Sequence, residues 1–168
     1  MRKKTLLLLL LICSLYVMGS LFMTKINEDE KIKIPSERLN ESILFYCDSL
    51  NIPEHIAFNI ATIETGYRGP LDSTYTQSHV SSGGALGPMQ IVHRYSHHYL
   101  GRKVTKKELR DSIELNVKIS LLILKDNFIK YGSWKKATGA YNTGKPVVNG
   151  YSLKATNPEF YKKKWIKL

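Results

Sequence analysis

At 168 residues the chain has room for one domain and a short targeting segment, which excludes a multidomain architecture. Its formal net charge is +11, and residues 100–168 carry all of it, with sixteen Lys or Arg against five Asp or Glu. Such a basic half predicts an anionic partner, such as cell-wall polymer, membrane headgroups or nucleic acid, unless the lysines only solvate helix faces.

Residues 1–24 predict a segment that directs the protein out of the cytoplasm. The stretch MRKKTLLLLLLICSLYVMGSLFMT places three basic residues before an uncharged run over residues 5–24. This pattern is typical of a secretory signal peptide, and the run is also long enough to be a retained membrane anchor. Either interpretation predicts export to the cell envelope, into the periplasm or the cell-wall space, and an anchor would add an association with the membrane.

Residues 25–35 are predicted to form a linker, and residues 36–168 a single domain. The linker, KINEDEKIKIP, is charged and ends in a proline. Ser36 is placed to cap a helix that runs to about Leu50. The apolar stripe of this helix consists of Leu39, Ile43, Leu44 and Cys47. Because Cys47 is the only cysteine after the N-terminal segment, we predict no disulfide and interpret it as a small buried hydrophobic residue.

Two further helices are predicted on either side of a loop region. The first of them has Pro53 in its first turn and Gly66 just past its end. Residues 67–87 are rich in Ser, Gly and Thr, which predicts an ordered loop or a short ribbon. The longest helical pattern of the chain covers residues 105–131 and is ended by Gly132.

Two shorter helices are predicted towards the C-terminus. Ser133 caps one that is closed by Gly144, and Asn157 with Pro158 begins the other. The sequence has no convincing strand pair outside residues 67–87. The predicted fold class is therefore mainly α.

The stretch IATIETGYRG, residues 60–69, places Glu64 at the end of an apolar helical run. Ile56, Ile60 and Ile63 face a core, and a charged glutamate beside buried surface is costly unless it finds a partner or its pKa rises. The C-terminal end of the helix dipole also favours the neutral acid. A carboxyl group with a raised pKa is what a general acid requires, so Glu64 is the candidate proton donor.

Two glycine-containing segments supply further candidates. In SSGGALGPMQIV, Gly87 lets the backbone approach a ligand closely, and Met89 and Gln90 offer an apolar wall and an amide. In ATGAYNTG, Tyr141 offers a hydroxyl and Asn142 an amide just before a helix-ending glycine. Taken singly each segment is a weak indication, because a tyrosine and an asparagine before a glycine are usual at the end of a helix.

In combination these segments resemble the lysozyme-like lytic transglycosylase family, the soluble and membrane-bound murein transglycosylases with an SLT domain. Four motifs match in order over residues 45–165: Glu64-Thr65, Gly87-Pro88-Met89-Gln90, Asn116 and Ala140-Tyr141-Asn142-Thr143-Gly144. Two positions depart from the family's pattern. Thr65 stands in place of the usual serine and keeps a hydroxyl, whereas Pro88 stands in place of the usual leucine and removes a backbone donor.

The resemblance implies a lysozyme-like α domain, with the loop or ribbon beside its cleft, that cleaves the MurNAc–GlcNAc β-1,4 bonds of peptidoglycan glycan strands. In this family one glutamic acid protonates the glycosidic oxygen and then, as carboxylate, takes the proton of the sugar's own 6-hydroxyl, which leaves a 1,6-anhydroMurNAc end. Here that acid would be Glu64, with Tyr141 hydrogen-bonded near it. The implied substrate-binding residues are Thr65, Gly87, Met89, Gln90, Ala140 and Asn142. The family requires no cofactor and no metal.

Other functions stay open at the level of the sequence. A goose-type lysozyme-like hydrolase would use a second carboxylate, and Asp72 is the one rival available to position a water. A non-catalytic peptidoglycan-binding module would keep the fold, although it would have no need of a buried acid. The setting is open as well, between general wall turnover and the opening of gaps for an envelope-spanning secretion or conjugation machine; no nucleic-acid partner is predicted.

The histidines and several aromatic residues have more than one interpretation. His93 and His97 have the spacing of a helical metal-ligand pair, but no carboxylate or thiol nearby completes a set, so we interpret them as surface or cleft-edge residues. Four aromatic residues either stack on sugar rings or pack inside the domain: Tyr95, Tyr99, Trp134 and Tyr151. The sequence does not single out one of them.

Overall fold

The computed structural model describes residues 32–166, so the predicted signal or anchor over residues 1–24 and most of the predicted linker lie outside the described residues. The elements in this part of the chain are helices α1 (Pro35–Leu50), α2 (Glu54–Thr65), α3 (Lys106–Asp111), α4 (Ile113–Tyr131), α5 (Trp134–Thr143) and α6 (Gly150–Ala155), and strands β1 (Ala85–Leu86) and β2 (Ile91–Val92). The predicted mainly helical fold is confirmed. None of these helices is long and apolar enough to cross a bilayer.

Helix α1 starts differently from the prediction. Its first residue is Pro35, whose fixed φ and missing N–H suit the first turn of a helix. The side chain of Glu37 accepts the backbone N–H of Ile34 at 3.0 Å. Ser36, predicted to be the cap, is instead buried and donates its hydroxyl to the carbonyl oxygen of Pro70 at 2.9 Å. The prediction for Ser36 was wrong because a partner 34 residues away takes its hydroxyl.

The main hydrophobic core lies between α1, α2 and α4, with small residues of α5 and α6 packed against them. Fully burying a large aliphatic side chain stabilises a fold by about 1.5–3 kcal/mol, so this core is the main source of stability. Leu44, predicted to belong to the apolar stripe, is 37% exposed, whereas the other three stripe residues are buried. Cys47 is buried as predicted, and burial raises the pKa of its thiol to about 12.

A short ribbon begins at the end of the loop region, but its second strand lies beyond the predicted bounds of residues 67–87. Strands β1 and β2 pair antiparallel, with Ala85 opposite Val92 and Leu86 opposite Ile91. The turn between them is the Gly87–Gln90 segment, and the ribbon packs on a second, smaller core that includes Leu109 of α3. The ribbon thus presents the glycine-containing segment as a tight turn.

The predicted long helix over residues 105–131 is two helices. A capping box between Thr105 and Glu108 starts α3, and Ser112 interrupts the pattern and caps α4, where its hydroxyl accepts the N–H of Leu115 at 3.3 Å. Gly132 ends α4 as predicted, with a φ of 65°.

The predicted C-terminal helix at Asn157 and Pro158 does not form, and α6 lies before it. Asn149 caps α6 by accepting the N–H of Ser152 at 2.9 Å. Residues 158–164 form turns instead of a helix. The physical reason is competition for the backbone: the N–H of Tyr161 donates to the side chain of Asn59 on α2 at 2.8 Å.

Candidate active site

Glu64 is the penultimate residue of α2, which ends at Gly66 in a left-handed conformation with a φ of 69°. Its side chain is partly buried, and Oε1 accepts the hydroxyl of Tyr151 at 2.7 Å. Burial raises the pKa of Glu64, and the bond from Tyr151 opposes the rise because it stabilises the carboxylate. The net direction is upward, which keeps a larger fraction of Glu64 protonated than an exposed glutamate would have.

The partner of Glu64 is therefore Tyr151 of α6, and not Tyr141 as expected. The hydroxyl of Tyr141 donates instead to the backbone carbonyl of Met89 at 2.6 Å. Burial is the largest cause that raises the pKa of both tyrosines, and the charge of Glu64 is the second. Glu64 and the two tyrosines thus form one cluster, in which both phenols stay protonated. Sequence analysis named Tyr151 only as one of four aromatic residues that stack on sugar or pack, because it lies 87 residues from Glu64 and outside the four matched motifs.

The turn between β1 and β2 has a backbone that few residues tolerate. Gly87 has a φ of 73°, and a Cβ there would lie 2.5 Å from the carbonyl oxygen of Leu109 and against the amide of Asn116. Gln90 also has a positive φ, 52°, and its side-chain amide donates to the carbonyl of Gly87 at 2.8 Å. A non-glycine residue in this conformation is strained, and such strain is typical of functional sites.

Asn116 on α4 holds this turn in place through hydrogen bonds. Its side chain is fully buried, its Oδ1 accepts the N–H of Met89 at 2.9 Å, and its amide donates to the carbonyls of Leu86 and Leu109, each at 2.8 Å. All of the polar atoms of this buried amide are thus used, which makes the turn rigid.

Thr65 ties the end of α2 to the same turn. Its hydroxyl lies 2.9 Å from the carbonyl oxygen of Pro88, 3.1 Å from that of Ala61 and 2.9 Å from the hydroxyl of Tyr75. Together with the Tyr141–Met89 bond and the Tyr151–Glu64 bond, this contact joins the end of α2, the turn, α5 and α6 around Glu64.

The remaining predicted substrate-binding residues lie at different depths. The side chain of Met89 is fully buried in the main core, so it does not line an open surface, and its carbonyl is what takes part in the site. Ala140 is 6% exposed. Asn142 is exposed and its Oδ1 accepts the side-chain amide of Asn149 at 3.4 Å. The two side-chain amides of the predicted substrate-binding set are therefore accessible, with Gln90 partly exposed and Asn142 exposed.

Asp72 is a buried carboxylate in an ion pair with Arg68, whose side chain is about half exposed. It is 3% exposed, and Arg68 donates to both of its carboxylate oxygens at 3.0 and 3.1 Å. The hydroxyl and N–H of Thr74 add bonds of 2.6 and 3.1 Å to Oδ1. Burial by itself would raise the pKa of Asp72, but these bonds outweigh it and hold the pKa below its usual range.

The histidine pair makes backbone contacts. The Nε2 of His93 lies 2.6 Å from the carbonyl oxygen of Val104, and the Nδ1 of His97 accepts the N–H of Val104 at 3.4 Å. Within residues 32–166, no cluster of three His, Cys, Asp or Glu side chains is arranged to hold a metal. Among the four aromatic residues, Trp134 stacks on Phe128 with ring centroids 4.0 Å apart.

A family model for the Transglycosylase SLT domain matches residues 45–164, more than two thirds of the chain. The chain therefore belongs to the SLT domain family, whose members are typically lytic transglycosylases that act on peptidoglycan in the cell envelope. Comparisons with curated proteins and with solved structures gave no match. The resemblance stated from the four motifs is thus confirmed at the level of the family.

Proposed function

We propose that this domain is a peptidoglycan lytic transglycosylase that cleaves the MurNAc–GlcNAc β-1,4 bond and leaves a 1,6-anhydroMurNAc end, with Glu64 as acid and then base. The observation that carries the proposal is the environment of Glu64 in this SLT-family domain. Its carboxyl group is partly buried, its pKa is raised, and it accepts one hydrogen bond, from Tyr151. A surface glutamate would not combine these features.

The hydrogen bond leaves one carboxyl oxygen for the chemistry. Tyr151 donates to Oε1, and no protein group within the described residues bonds Oε2. In the proposed first half of the cycle, Oε2 gives its proton to the glycosidic oxygen as the bond from that oxygen to C1 of MurNAc breaks. Negative charge then develops on a carboxylate that already accepts the Tyr151 hydroxyl, which stabilises it.

In the second half, Glu64 acts as the base. The carboxylate takes the proton of the 6-hydroxyl of the same MurNAc, and O6 forms a bond to C1. Glu64 is protonated again at the end, the leaving GlcNAc has gained a hydrogen, and no water is consumed. The phenols of Tyr141 and Tyr151 stay protonated throughout, because burial and the Glu64 charge raise the pKa of each.

The state of Asp72 favours this chemistry over hydrolysis. An inverting hydrolase needs a second carboxylate that is free to activate a water. Both oxygens of Asp72 are taken by Arg68, and Thr74 adds two further bonds. Asp72 serves the loop as an ion-pair partner, and an activated water would have to displace those bonds.

The proposed setting is the cell envelope, with peptidoglycan glycan strands as the partner. The segment over residues 1–24 would deliver the domain there as a cleaved signal or hold it on the membrane as an anchor. We propose that the domain acts either in wall turnover or in opening gaps for an envelope-spanning secretion or conjugation machine. Neither role requires the domain itself to bind nucleic acid.

Mass spectrometry of the muropeptides released from purified sacculi tests the proposal. Wild type should release 1,6-anhydro ends, and Glu64→Gln should retain its fold and lose about two to four orders of magnitude in rate, because an amide cannot deliver a proton. Reducing ends in place of anhydro ends would show a hydrolase. A folded Glu64→Gln protein that keeps more than about a tenth of the rate would exclude Glu64 as the acid.

A further inference from the structure

Asn59 is a fully buried polar residue on α2, five positions before Glu64. Its side-chain amide donates to the carbonyls of Ala155 and Asn157 at 3.0 and 2.7 Å, and its Oδ1 accepts the N–H of Tyr161 at 2.8 Å. One buried side chain thus satisfies three backbone groups at the end of α6 and in the turns that follow. Leaving such groups unpaired inside a protein is costly, so these contacts hold α6 firmly.

The same two helices are joined a second time at Glu64. Tyr151 is the second residue of α6, and its hydroxyl donates to Glu64 Oε1 at 2.7 Å. Helix α6 has six residues, which at a rise of about 1.5 Å per residue makes it about 9 Å long. Because α6 is so short, a shift at its C-terminal end also moves the hydroxyl of Tyr151.

The hydrogen bond that joins the start of α6 to a neighbouring helix is weaker than those at its end. Asn149 caps the helix and reaches α5 only through its amide contact with Asn142, which is exposed and 3.4 Å long. The three bonds of Asn59 are shorter and buried, or partly so. Asn59 therefore supplies the hydrogen bonds that join the C-terminal end of α6 to α2, whereas the segment before α6 packs on α5, with the carbonyl of Val147 against Gly139.

We propose that Asn59 is a positioning residue for Glu64: it fixes α6 against α2 and thereby holds the hydroxyl of Tyr151 on the Glu64 carboxyl group. The kinetic part of this inference rests on the proposed function. The titratable groups that face Glu64 are the phenols of Tyr141 and Tyr151. Loss of Asn59 acts on Glu64 through Tyr151, because Asn59 itself contacts α6 and the turns after it.

The test compares wild type, Asn59→Ala, Tyr151→Phe and the double variant in the full-length chain. We expect Asn59→Ala to lower kcat about three- to tenfold with KM within about twofold, and to move the descending limb of the kcat/KM profile to higher pH. In the double variant the rate should equal that of Tyr151→Phe, since residues that act through one contact are not additive. Additive losses in the double variant would overturn the inference.

A matched control separates positioning from stability. Ile43 is buried on α1, a helix that carries neither member of the Glu64–Tyr151 pair, so Ile43→Ala should lower the Tm and leave the pH profile in place. An Asn59→Ala profile that superimposes on wild type, with only the Tm lowered, would return Asn59 to a structural role. If Asn59→Ala is unfolded at the assay temperature, Asn59→Ser takes its place, and the same outcomes decide.

A titration without substrate keeps this inference distinct from the proposed function. The side-chain carboxyl of Glu64, labelled with 13C and assigned with Glu64→Gln, should titrate at higher pH in Asn59→Ala than in wild type. An unchanged titration refutes the role of Asn59 even in an active enzyme. Conversely, a shifted titration in a protein that releases no anhydro ends would refute the proposed function and support the role of Asn59.

Discussion

Removing the hydroxyl of Tyr151 tests the geometry of the site most directly. Tyr151→Phe keeps the ring and removes one hydrogen bond of 2.7 Å to Glu64 Oε1. A hydrogen bond to a charged group contributes about 1.5–3 kcal/mol. The transition state carries only part of the carboxylate charge, so we expect a loss of about 1–2 kcal/mol, which is a roughly 5- to 30-fold lower kcat/KM.

The pH profile gives the sign of the effect. Glu64 must be protonated to start the cycle, so kcat/KM falls as pH rises through its pKa. Burial raises this pKa and the bond from Tyr151 lowers it, so removal of the hydroxyl raises it further. The descending limb should therefore move to higher pH in Tyr151→Phe, measured as initial rates of muropeptide release across the pH range. A folded variant with a wild-type rate and an unmoved limb would refute the reasoning.

Tyr141→Phe is the matched comparison, because it removes a hydroxyl from the same cluster. That hydroxyl donates to the carbonyl of Met89, which would be left without this partner. We expect a loss of stability of about 1–3 kcal/mol, a smaller loss of rate than in Tyr151→Phe, and no movement of the descending limb. If the descending limb of the kcat/KM profile moves in Tyr141→Phe and not in Tyr151→Phe, Tyr141 is the partner of Glu64 during the reaction, as the family resemblance implies.

Three further outcomes are expected. Glu64→Gln should raise the Tm at neutral pH. The pKa of Glu64 is raised on folding, so the wild-type fold loses stability as pH rises through that pKa, and the amide avoids this loss. A Tm series over pH should show the gain vanish below the ordinary carboxyl pKa. Gly87→Ala should lower the free energy of unfolding, measured in urea, by about 2 kcal/mol or more, since a φ of 73° is strained for alanine and its Cβ would meet Asn116. Binding to sacculi should weaken as salt rises, if the net charge of +11 draws the protein to anionic wall polymer; a pull-down that is flat up to molar salt would show that the lysines only solvate the surface.

Local features of the sequence predicted the elements that depend on neighbouring residues. Helical periodicity and a glycine just past the end located α2 and α5, because helix formation and capping act within a few positions along the chain. The same locality placed Glu64 at the apolar end of α2. Four short motifs in order were sufficient to identify the family, since each motif is contiguous and can be recognised without knowing how the chain folds.

The tertiary structure decided which side chains meet. The phenol that bonds Glu64 belongs to Tyr151, 87 residues away, and Tyr141 in the matched motif bonds the turn instead. Helix α6 was missed although its capping box, Asn149 with Ser152, is local. The turns after it were wrongly predicted as a helix because Asn59, which lies 102 residues before Tyr161, takes backbone groups that such a helix would have used. Hydrogen bonds between segments so distant in sequence leave no periodic pattern in either segment, so only the packing of α2 against α6 determines the partner of the acid.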